Sequence, residues 1–380
     1  MRFTEPTFAP HRLARARARV VLSVLACLAA PASPGAAAAF HDGGVGSCAR
    51  CHVMHDAVPG QVAFDGTLPL LLAASSTDLC LMCHGDGGVM GLNPLNPPRE
   101  LGAGNFVFLL EDDLDDGANA TAPRIAGETA GHSIVSPALG LAADSRWSRA
   151  PGGTFPSAAL GCTSCHDPHG NRSFRMLNGT GPVQGGAGAF VYPAPTAIGL
   201  PTTDQAAVES RTSHSAYVAG MTRWCANCHG YYHDSRTAGF THPVDEILDT
   251  GVRRRYDRYD GDARPLLGDA ATSYLPEVPF EATGAATNST AGPGTGGRLH
   301  CLTCHRAHAS SAPASGRWDF GVHELADDGL ASGSWPLPNP YPDMGQGQLC
   351  RKCHGGDHDQ GMGCLACHRR TGPDVTPVDP

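Results

Sequence analysis

The cysteines of this chain occur in one repeated pattern. Fourteen of its 15 cysteines form seven C-x-x-C pairs, and a histidine follows each pair directly. Paired thiols with an adjacent histidine can bind a metal ion, close disulfides or attach a haem group. In chain order the motifs are Cys48, Cys51 and His52; Cys80, Cys83 and His84; Cys162, Cys165 and His166; Cys225, Cys228 and His229; Cys301, Cys304 and His305; Cys350, Cys353 and His354; and Cys364, Cys367 and His368.

This spacing suits covalent attachment of haem c. Two thiols separated by two residues can add to the vinyl groups on one porphyrin edge, and the adjacent histidine can bind the iron. A disulfide framework or zinc ribbons would also use paired cysteines, but neither requires the seven histidines. We therefore expect seven covalent haem c groups, with the 14 motif cysteines as attachment sites and the seven motif histidines as proximal iron ligands.

Further histidines can occupy the second axial position of each iron. Eleven lie outside the motifs and beyond residue 39, which is enough for histidine on both faces of seven irons. Methionine would serve instead and would raise the reduction potential. The sequence favours no ligand role for His214, His300, His323 and His358. The predicted distal ligands are His41, His55, His132, His169, His233, His242 and His308.

Three of these distal candidates follow a proximal histidine at position +3. They are His55, His169 and His308. A histidine so close in sequence cannot easily cross to the opposite face of its own haem, but it can reach a neighbouring one. The spacing therefore predicts that these residues tie adjacent haems together.

The composition argues against long regular elements. Glycine (48) and proline (31) make up about a fifth of the 380 residues, and both interrupt helices and sheets. We expect a mostly irregular chain with short α-helices and few short strands, wrapped around a stacked chain of haems. Helices are expected around the motifs, most clearly over 212–232. Short strands are expected at 106–110 and 190–192, and a surface loop at 282–297.

The first 39 residues have the order of a secretory signal peptide. Arginines precede an 11-residue apolar run, and small residues ending in four alanines follow it. Lipidation at Cys27 is the alternative.

Residues 40–380 are then expected to form a single haem-binding domain with 22 basic and 35 acidic residues, a net charge of −13. That charge argues against a nucleic-acid partner, and no later apolar run predicts a transmembrane helix.

An ordered set of segments carries a family resemblance. It includes WCANCHGYYHDS at 224–235 and CLTCHRAHAS at 301–310. Together the segments resemble the OmcS-type outer-surface multihaem cytochromes, which polymerise into extracellular filaments. The other segments are FHDGGVG at 40–46, CARCHVMH at 48–55, GHSIV at 131–135, CTSCHDPHG at 162–170, THP at 241–243 and CRKCH at 350–354.

The resemblance implies stacked bis-histidine haems in subunits that join head to tail. In that family a histidine of the C-x-x-C-H-x-M-H segment, here His55, binds the fifth haem of a neighbouring protomer. That haem corresponds to the motif of Cys301, Cys304 and His305. The present chain departs from the pattern, since the family carries six haems and this chain has a seventh motif. It also has CHGDGG at its second motif, where the family has a further histidine.

The function expected from the motifs and the resemblance is electron conduction, not catalysis. The partners would be further copies of the chain, other multihaem cytochromes and extracellular acceptors such as metal oxides, and the location would be the outer cell surface. A monomeric periplasmic carrier is the alternative. A multihaem nitrite or hydroxylamine oxidoreductase would need an iron with an open face, and the excess of histidines argues against that.

Overall fold

The described part of the chain contains six of the seven motifs. In the computed structural model it comprises residues 41, 46–53, 70–85, 102–113, 125–184, 187–200, 209–234, 244–261, 266–322, 324–328, 337–341 and 349–354. The chain divides into two compact units, Met1–Gly46 and Ser47–Pro380. The expected signal peptide lies outside the described residues, as do His55, His242 and the whole seventh motif, which comprises Cys364, Cys367 and His368.

Regular elements are short and sparse, as the composition predicts, so the expected fold class is confirmed. Five α-helices are described: α1 (Ser76–His84), α2 (Gly127–Ala130), α3 (Cys162–Cys165), α4 (Met221–Asp234) and α5 (Thr250–Arg258). Four strands form two antiparallel pairs, β1 (Gly181–Pro182) with β2 (Ala189–Phe190) and β3 (Thr196–Ile198) with β4 (Ala216–Ala219).

Short 3₁₀ helices supply most of the remaining regular structure. They cover Cys48–Arg50, Phe106–Asp113, Pro137–Leu139, Ser157–Ala159, Phe174–Met176, Ala270–Thr272, Cys301–Thr303, Pro313–Ser315, Leu325–Asp327 and Leu349–Lys352.

Three of the expected elements were wrong in type or extent. Residues 106–110 form a 3₁₀ helix instead of a strand, and this segment packs its apolar side chains in a buried cluster. The helix expected over 212–232 begins only at Met221, because β4 occupies Ala216–Ala219. The strand expected at 190–192 overlaps β2 at Phe190 alone. Residues 282–297 form a loop, as expected.

A helical turn at the first cysteine is common to the described motifs. In α1 and α4 the motif lies within the helix, and elsewhere the turn closes by a hydrogen bond from the histidine amide to the first cysteine carbonyl. This one turn carries the histidine back beneath the two thiols. The bonds are His52 to Cys48 (2.8 Å), His166 to Cys162 (3.0 Å), His305 to Cys301 (3.1 Å) and His354 to Cys350 (2.9 Å).

The buried apolar side chains form several clusters that border the motifs. One surrounds Phe106–Leu109 and includes Ile134 and Ala309. A second, with Tyr217, Met221 and Leu302, has Cys225 packed against it. A third, aromatic cluster has cysteines of both the fifth and sixth motifs, Cys304, Cys350 and Cys353, packed against it. The described core is therefore built around the motif turns.

Candidate haem-binding site

Five histidines share one hydrogen-bonding arrangement. In each, ring nitrogen Nδ1 faces a main-chain carbonyl. A carbonyl can only accept, so Nδ1 carries the proton and Nε2 keeps its lone pair for a metal. The pairs are His132 with Ala307 (2.5 Å), His166 with Arg175 (2.9 Å), His229 with Pro151 (2.7 Å), His305 with Ala314 (3.0 Å) and His308 with Gly104 (3.3 Å).

Three proximal histidines each have a second imidazole opposite. The ring centroids of His52 and His169 are 6.3 Å apart, those of His132 and His229 are 5.9 Å apart, and those of His166 and His308 are 6.3 Å apart. An imidazole nitrogen binds a metal at about 2 Å, so two rings on opposite faces of one iron have centroids roughly 6 Å apart. The three separations match that value.

Two of the facing rings come from histidines at position +3 of another motif. His169 follows His166 of the third motif and lies against His52 of the first. His308 follows His305 of the fifth motif and lies against His166 of the third. Each of these two residues therefore connects two motifs that are far apart in sequence.

Burial keeps four of the facing imidazoles neutral, those of His132, His166, His229 and His308. It lowers the pKa of His229 to about 4, with a further contribution from His132, and it lowers the pKa of His308 to about 3. Burial also lowers the pKa of His132 and of His166. Neutral imidazole is the form that binds iron, so these residues are ready to act as ligands at neutral pH.

The first two motifs are the most exposed of those described. The side chains of Cys48 and Cys83 are exposed to solvent, whereas Cys51 and Cys80 are half-buried. The carbonyl of Cys51 accepts a hydrogen bond from the amide of Leu72 (3.0 Å), which fixes the first motif against the segment before α1. Covalent attachment stays a prediction at every motif, including Cys364 and Cys367 beyond the described residues.

The second to sixth motifs are contiguous in space. The side chains of Cys80 and Cys162 lie side by side, which brings the second and third motifs together. The thiols of Cys225 and Cys301 join the fourth and fifth motifs in the same way. Cys165 of the third motif interacts with Cys228 of the fourth. The fifth and sixth motifs share the aromatic cluster described above. None of the twelve described cysteines is in a disulfide.

The fourth motif is fixed by a buried carboxylate and a close glycine contact. Glu281 accepts hydrogen bonds from the amides of Met221 (2.6 Å) and Gly220 (3.3 Å) at the start of α4. A Cβ atom on Gly153 would overlap the carbonyl of Cys228, so only glycine allows this approach. α4 is kinked at His229, whose φ of −117° and ψ of 42° are not helical.

The sixth motif is held by α5. Arg255 Nε donates to the carbonyl of Arg351 (2.8 Å), and Lys352 Nζ donates to the carbonyl of Tyr256 (3.0 Å). Lys352 is the only lysine of the chain and is fully buried, and its Nζ lies 4.1 Å from the centre of the Tyr256 ring. Burial lowers its pKa to about 7.

The other histidines divide into two groups. His41 is half-buried, and for His233 only the backbone is described, so their ligand roles stay predictions. His214 is buried, stacks on Tyr274 at 3.8 Å, and has both ring nitrogens against carbonyls, at Ser215 (3.0 Å) and Ser289 (2.9 Å). That arrangement leaves neither nitrogen for iron. His300 is also buried, against Tyr217.

These residues fit haem c. The six described motifs present paired thiols and a histidine on one turn, and three of them have a second imidazole opposite. In two of these, His132 and His308, Nδ1 faces a main-chain carbonyl. Sequence reasoning identified the histidines but missed the carbonyls that orient them. Those carbonyls belong to residues such as Pro151, Arg175 and Ala307, and their side chains do not indicate that the main chain accepts a hydrogen bond from a histidine. The arrangement is that of a multihaem c-type cytochrome.

Comparison with known proteins gives the family. The chain is 31% identical over 386 residues to the c-type cytochrome OmcS of Geobacter sulfurreducens, an alignment covering 83% of this chain and 88% of that protein. Two cryo-EM structures of OmcS filaments match 84% of this chain and 100% of their own, with TM-scores of 0.64 and 0.65 at 24% and 25% identity. No family model matches the sequence.

The chain belongs to the OmcS family of c-type cytochromes. It is accordingly an electron-transfer protein rather than an enzyme. Across the residues described, no helix combines the length and apolar character needed to cross a membrane.

Proposed function

We propose that this protein conducts electrons outside the cell through seven covalently attached bis-histidine haems, as the repeating subunit of a filament. The 14 motif cysteines attach the haems and the seven motif histidines are the proximal ligands. When bound, haem supplies one-electron chemistry at an iron whose two axial positions are filled. The chain itself positions and spaces these groups.

The facing imidazole pairs are the observation that carries this proposal. His169 with His52, His308 with His166, and His132 with His229 have the separation that one intervening iron requires. In the proposal they are the distal and proximal ligands of the first, third and fourth haems. His41, His55, His233 and His242 remain the candidates for the other irons.

The contiguous motifs support conduction along the chain. Because the second to sixth motifs contact one another in order, electrons would pass between neighbouring haems in that sequence. His169 and His308 add cross-connections, since each would bind the iron of a haem attached to a different motif. Filling both axial positions prevents substrate from binding iron.

Self-association is proposed from the filament structures of the relative. OmcS forms nanowires, and this chain matches the whole length of that subunit. Head-to-tail contacts of this kind generate an open filament rather than a closed ring. In the proposal His55 binds the fifth haem of the next protomer, and the signal peptide is cleaved after residue 39 on export.

The seventh haem is the proposed difference from the six-haem family pattern. In the proposal Cys364 and Cys367 attach it, and His368 is its proximal ligand. The sixth and seventh motifs are separated by only 14 residues from first cysteine to first cysteine, so their haems would be neighbours. The additional haem would then extend the chain of haems beyond the sixth one.

Intact-mass measurement of the exported protein tests the cofactor proposal. We expect the mass of residues 40–380 plus seven haems, and a ferric spectrum with low-spin iron alone. Fewer haems would show that a motif is not used. A high-spin signal would show an open coordination site and would favour the oxidoreductase alternative.

A further inference from the structure

Two buried arginines lie beside the fifth motif. Arg306 directly follows His305, and Arg317 donates its main-chain amide to the carbonyl of Cys304 (2.8 Å). Their exposed fractions are 6% and 2%. A guanidinium group stays charged at any physiological pH, so each arginine places a fixed positive charge inside the protein. Burying a charged group costs free energy unless hydrogen-bond acceptors surround it.

The Arg317 guanidinium donates to three main-chain carbonyls and lies beside the hydroxyl of Tyr217. Nε donates to Leu302 (2.6 Å), Nη1 to Pro276 (2.9 Å) and Nη2 to Gly102 (3.2 Å). Arg306 Nη1 donates to the same Gly102 carbonyl (3.3 Å), so two like charges converge on one acceptor. Leu302 lies between the two cysteines of the fifth motif, and its hydrogen bond therefore fixes the charge of Arg317 against the haem-attachment loop.

In the part of the chain that the structure describes, no carboxylate bonds directly to Arg317. Within the described residues, Glu209 lies near Gly102 but uses Oε1 to accept from the Ser215 amide (2.8 Å). Glu277 is largely buried, its Oε2 has no hydrogen-bond partner in the described structure, and burial raises the pKa of its carboxyl. The charge of Arg317 is also felt by His300, whose pKa burial and this arginine together lower to about 3.

A fixed positive charge changes the redox balance of a nearby iron. Ferric haem carries one more positive charge than ferrous haem, so a buried cation disfavours the oxidised state. The interaction is strong where water does not screen it, as beside Leu302 and Thr303, the two buried residues of this motif. Charge and burial around a haem are among the factors by which proteins set its potential.

We propose that Arg317, supported by Arg306, raises the reduction potential of the haem attached at Cys301 and Cys304. This inference rests on the proposed haem-binding function. It makes the fifth haem a favoured position for an electron along the chain. Arg317 acts on the iron through the field of its charge and makes no bond to it, so it is a tuning residue rather than a ligand.

The test compares reduction potentials of the purified holoprotein and its variants by spectroelectrochemical titration. Arg317→Met keeps side-chain length and removes the charge, and Arg317→Lys restores a charge. Arg253→Met is the matched control, because Arg253 also donates to carbonyls, at Leu248 and Gly294, but none belongs to a motif. We expect one haem's share of the titration to shift to lower potential in Arg317→Met, with a smaller shift in Arg317→Lys and none in Arg253→Met.

Haem content and ligation are measured on the same samples. If Arg317→Met retains every haem and its low-spin spectrum but no component shifts, the inference is wrong while the haem-binding function stands. A missing fifth haem in the unmodified protein would instead contradict the proposed function. Should Arg317→Met fail to fold, Arg306→Met provides the second measurement. This variant must also lower the reduction potential of one haem for the inference to hold.

Discussion

At the scale of single residues, the direction of a ring nitrogen decides whether a histidine can be an iron ligand. His132, His166, His229 and His308 direct Nδ1 to a carbonyl and so keep Nε2 available. His214 is buried but has carbonyls on both sides. The sequence predicted His132 and His308 as ligands from the unfilled iron positions and gave His214 no such role. It could not indicate the carbonyl partners, because any residue can supply one.

Replacing a distal histidine with methionine should change one haem alone. In His132→Met we expect the fourth haem to become His/Met-ligated and its potential to rise, because thioether sulfur favours ferrous iron more than imidazole does. Redox titration and the near-infrared spectrum of the ferric protein measure this. His214→Met is the control and should leave every haem bis-histidine. An unchanged spectrum in folded His132→Met would remove His132 from the set of ligands.

Acidification should destabilise the protein through these same histidines. The pKa of His229 is lowered to about 4, whereas an unfolded histidine has a pKa of about 6.5. The unfolded chain therefore binds more protons between these values, and stability falls as pH falls through that window. Iron ligation also makes stability fall as pH falls, because a histidine must be deprotonated to bind iron.

Thermal unfolding followed by haem absorbance checks this pH dependence. We expect the midpoint temperature to decrease steadily from pH 7 to pH 4. A midpoint that rises over this interval would contradict the view that the buried imidazoles are neutral in the folded protein.

At the scale of elements, the motif turns follow from local sequence, whereas the residues that hold these turns in place are far away in sequence. The C-x-x-C-H spacing predicts a turn, and each described motif has one. The start of α4, by contrast, depends on Glu281, about 60 residues further along the chain, and its middle depends on Gly153. The helix over 212–232 was placed too early because β4 pairs with β3, a contact that local sequence does not specify.

Removing the carboxylate that caps α4 should lower stability. Glu281→Ala leaves the buried amide of Met221 without an acceptor, which costs about 1–3 kcal/mol. Glu281→Gln keeps one acceptor oxygen and should lose less. Chemical denaturation followed by circular dichroism measures both. Glu128→Ala, which loses a solvent-exposed hydrogen bond to Ser145, is the control and should change stability by less than about 0.5 kcal/mol. Equal effects of Glu281→Ala and Glu128→Ala would argue against the capping role.

A methyl group at Gly153 should disturb the fourth motif. Gly153→Ala would force the Cys228 carbonyl to move, and we expect reduced haem attachment at this motif together with a lower midpoint temperature. Gly230→Ala is the control, because a Cβ atom there meets nothing within 4 Å. Haem content by intact mass distinguishes the two variants. Full haem content and wild-type stability in Gly153→Ala would show that the loop adjusts without cost.

At the scale of the whole molecule, haem groups in the proposed function replace the extended secondary structure that the composition excludes. The fold class followed from the glycine and proline content and the motif count, and the match to OmcS filaments confirms it. The spatial order of the motifs could not be predicted, because their sequence separations are irregular. It emerges from contacts between cysteines of different motifs, such as Cys80 with Cys162 and Cys225 with Cys301.

Assembly should depend on His55 if subunits join as proposed. In His55→Ala all seven haems should remain attached, because attachment requires only the motif cysteines. One haem should lose its distal ligand, and filaments should become shorter or disappear in electron micrographs of the secreted fraction. Filaments of normal length with unaltered haem ligation would exclude His55 as the ligand between protomers.

The most direct measurement is a cryo-EM map of the native exported protein at a resolution that shows imidazole rings. The predicted map has haem density joined to both cysteines of every motif. His52 and His169, His166 and His308, and His132 and His229 lie on opposite faces of three of the irons. An iron with an open face, or one of these histidine pairs without a haem between its members, would contradict the account of the protein as a chain of bis-histidine haems.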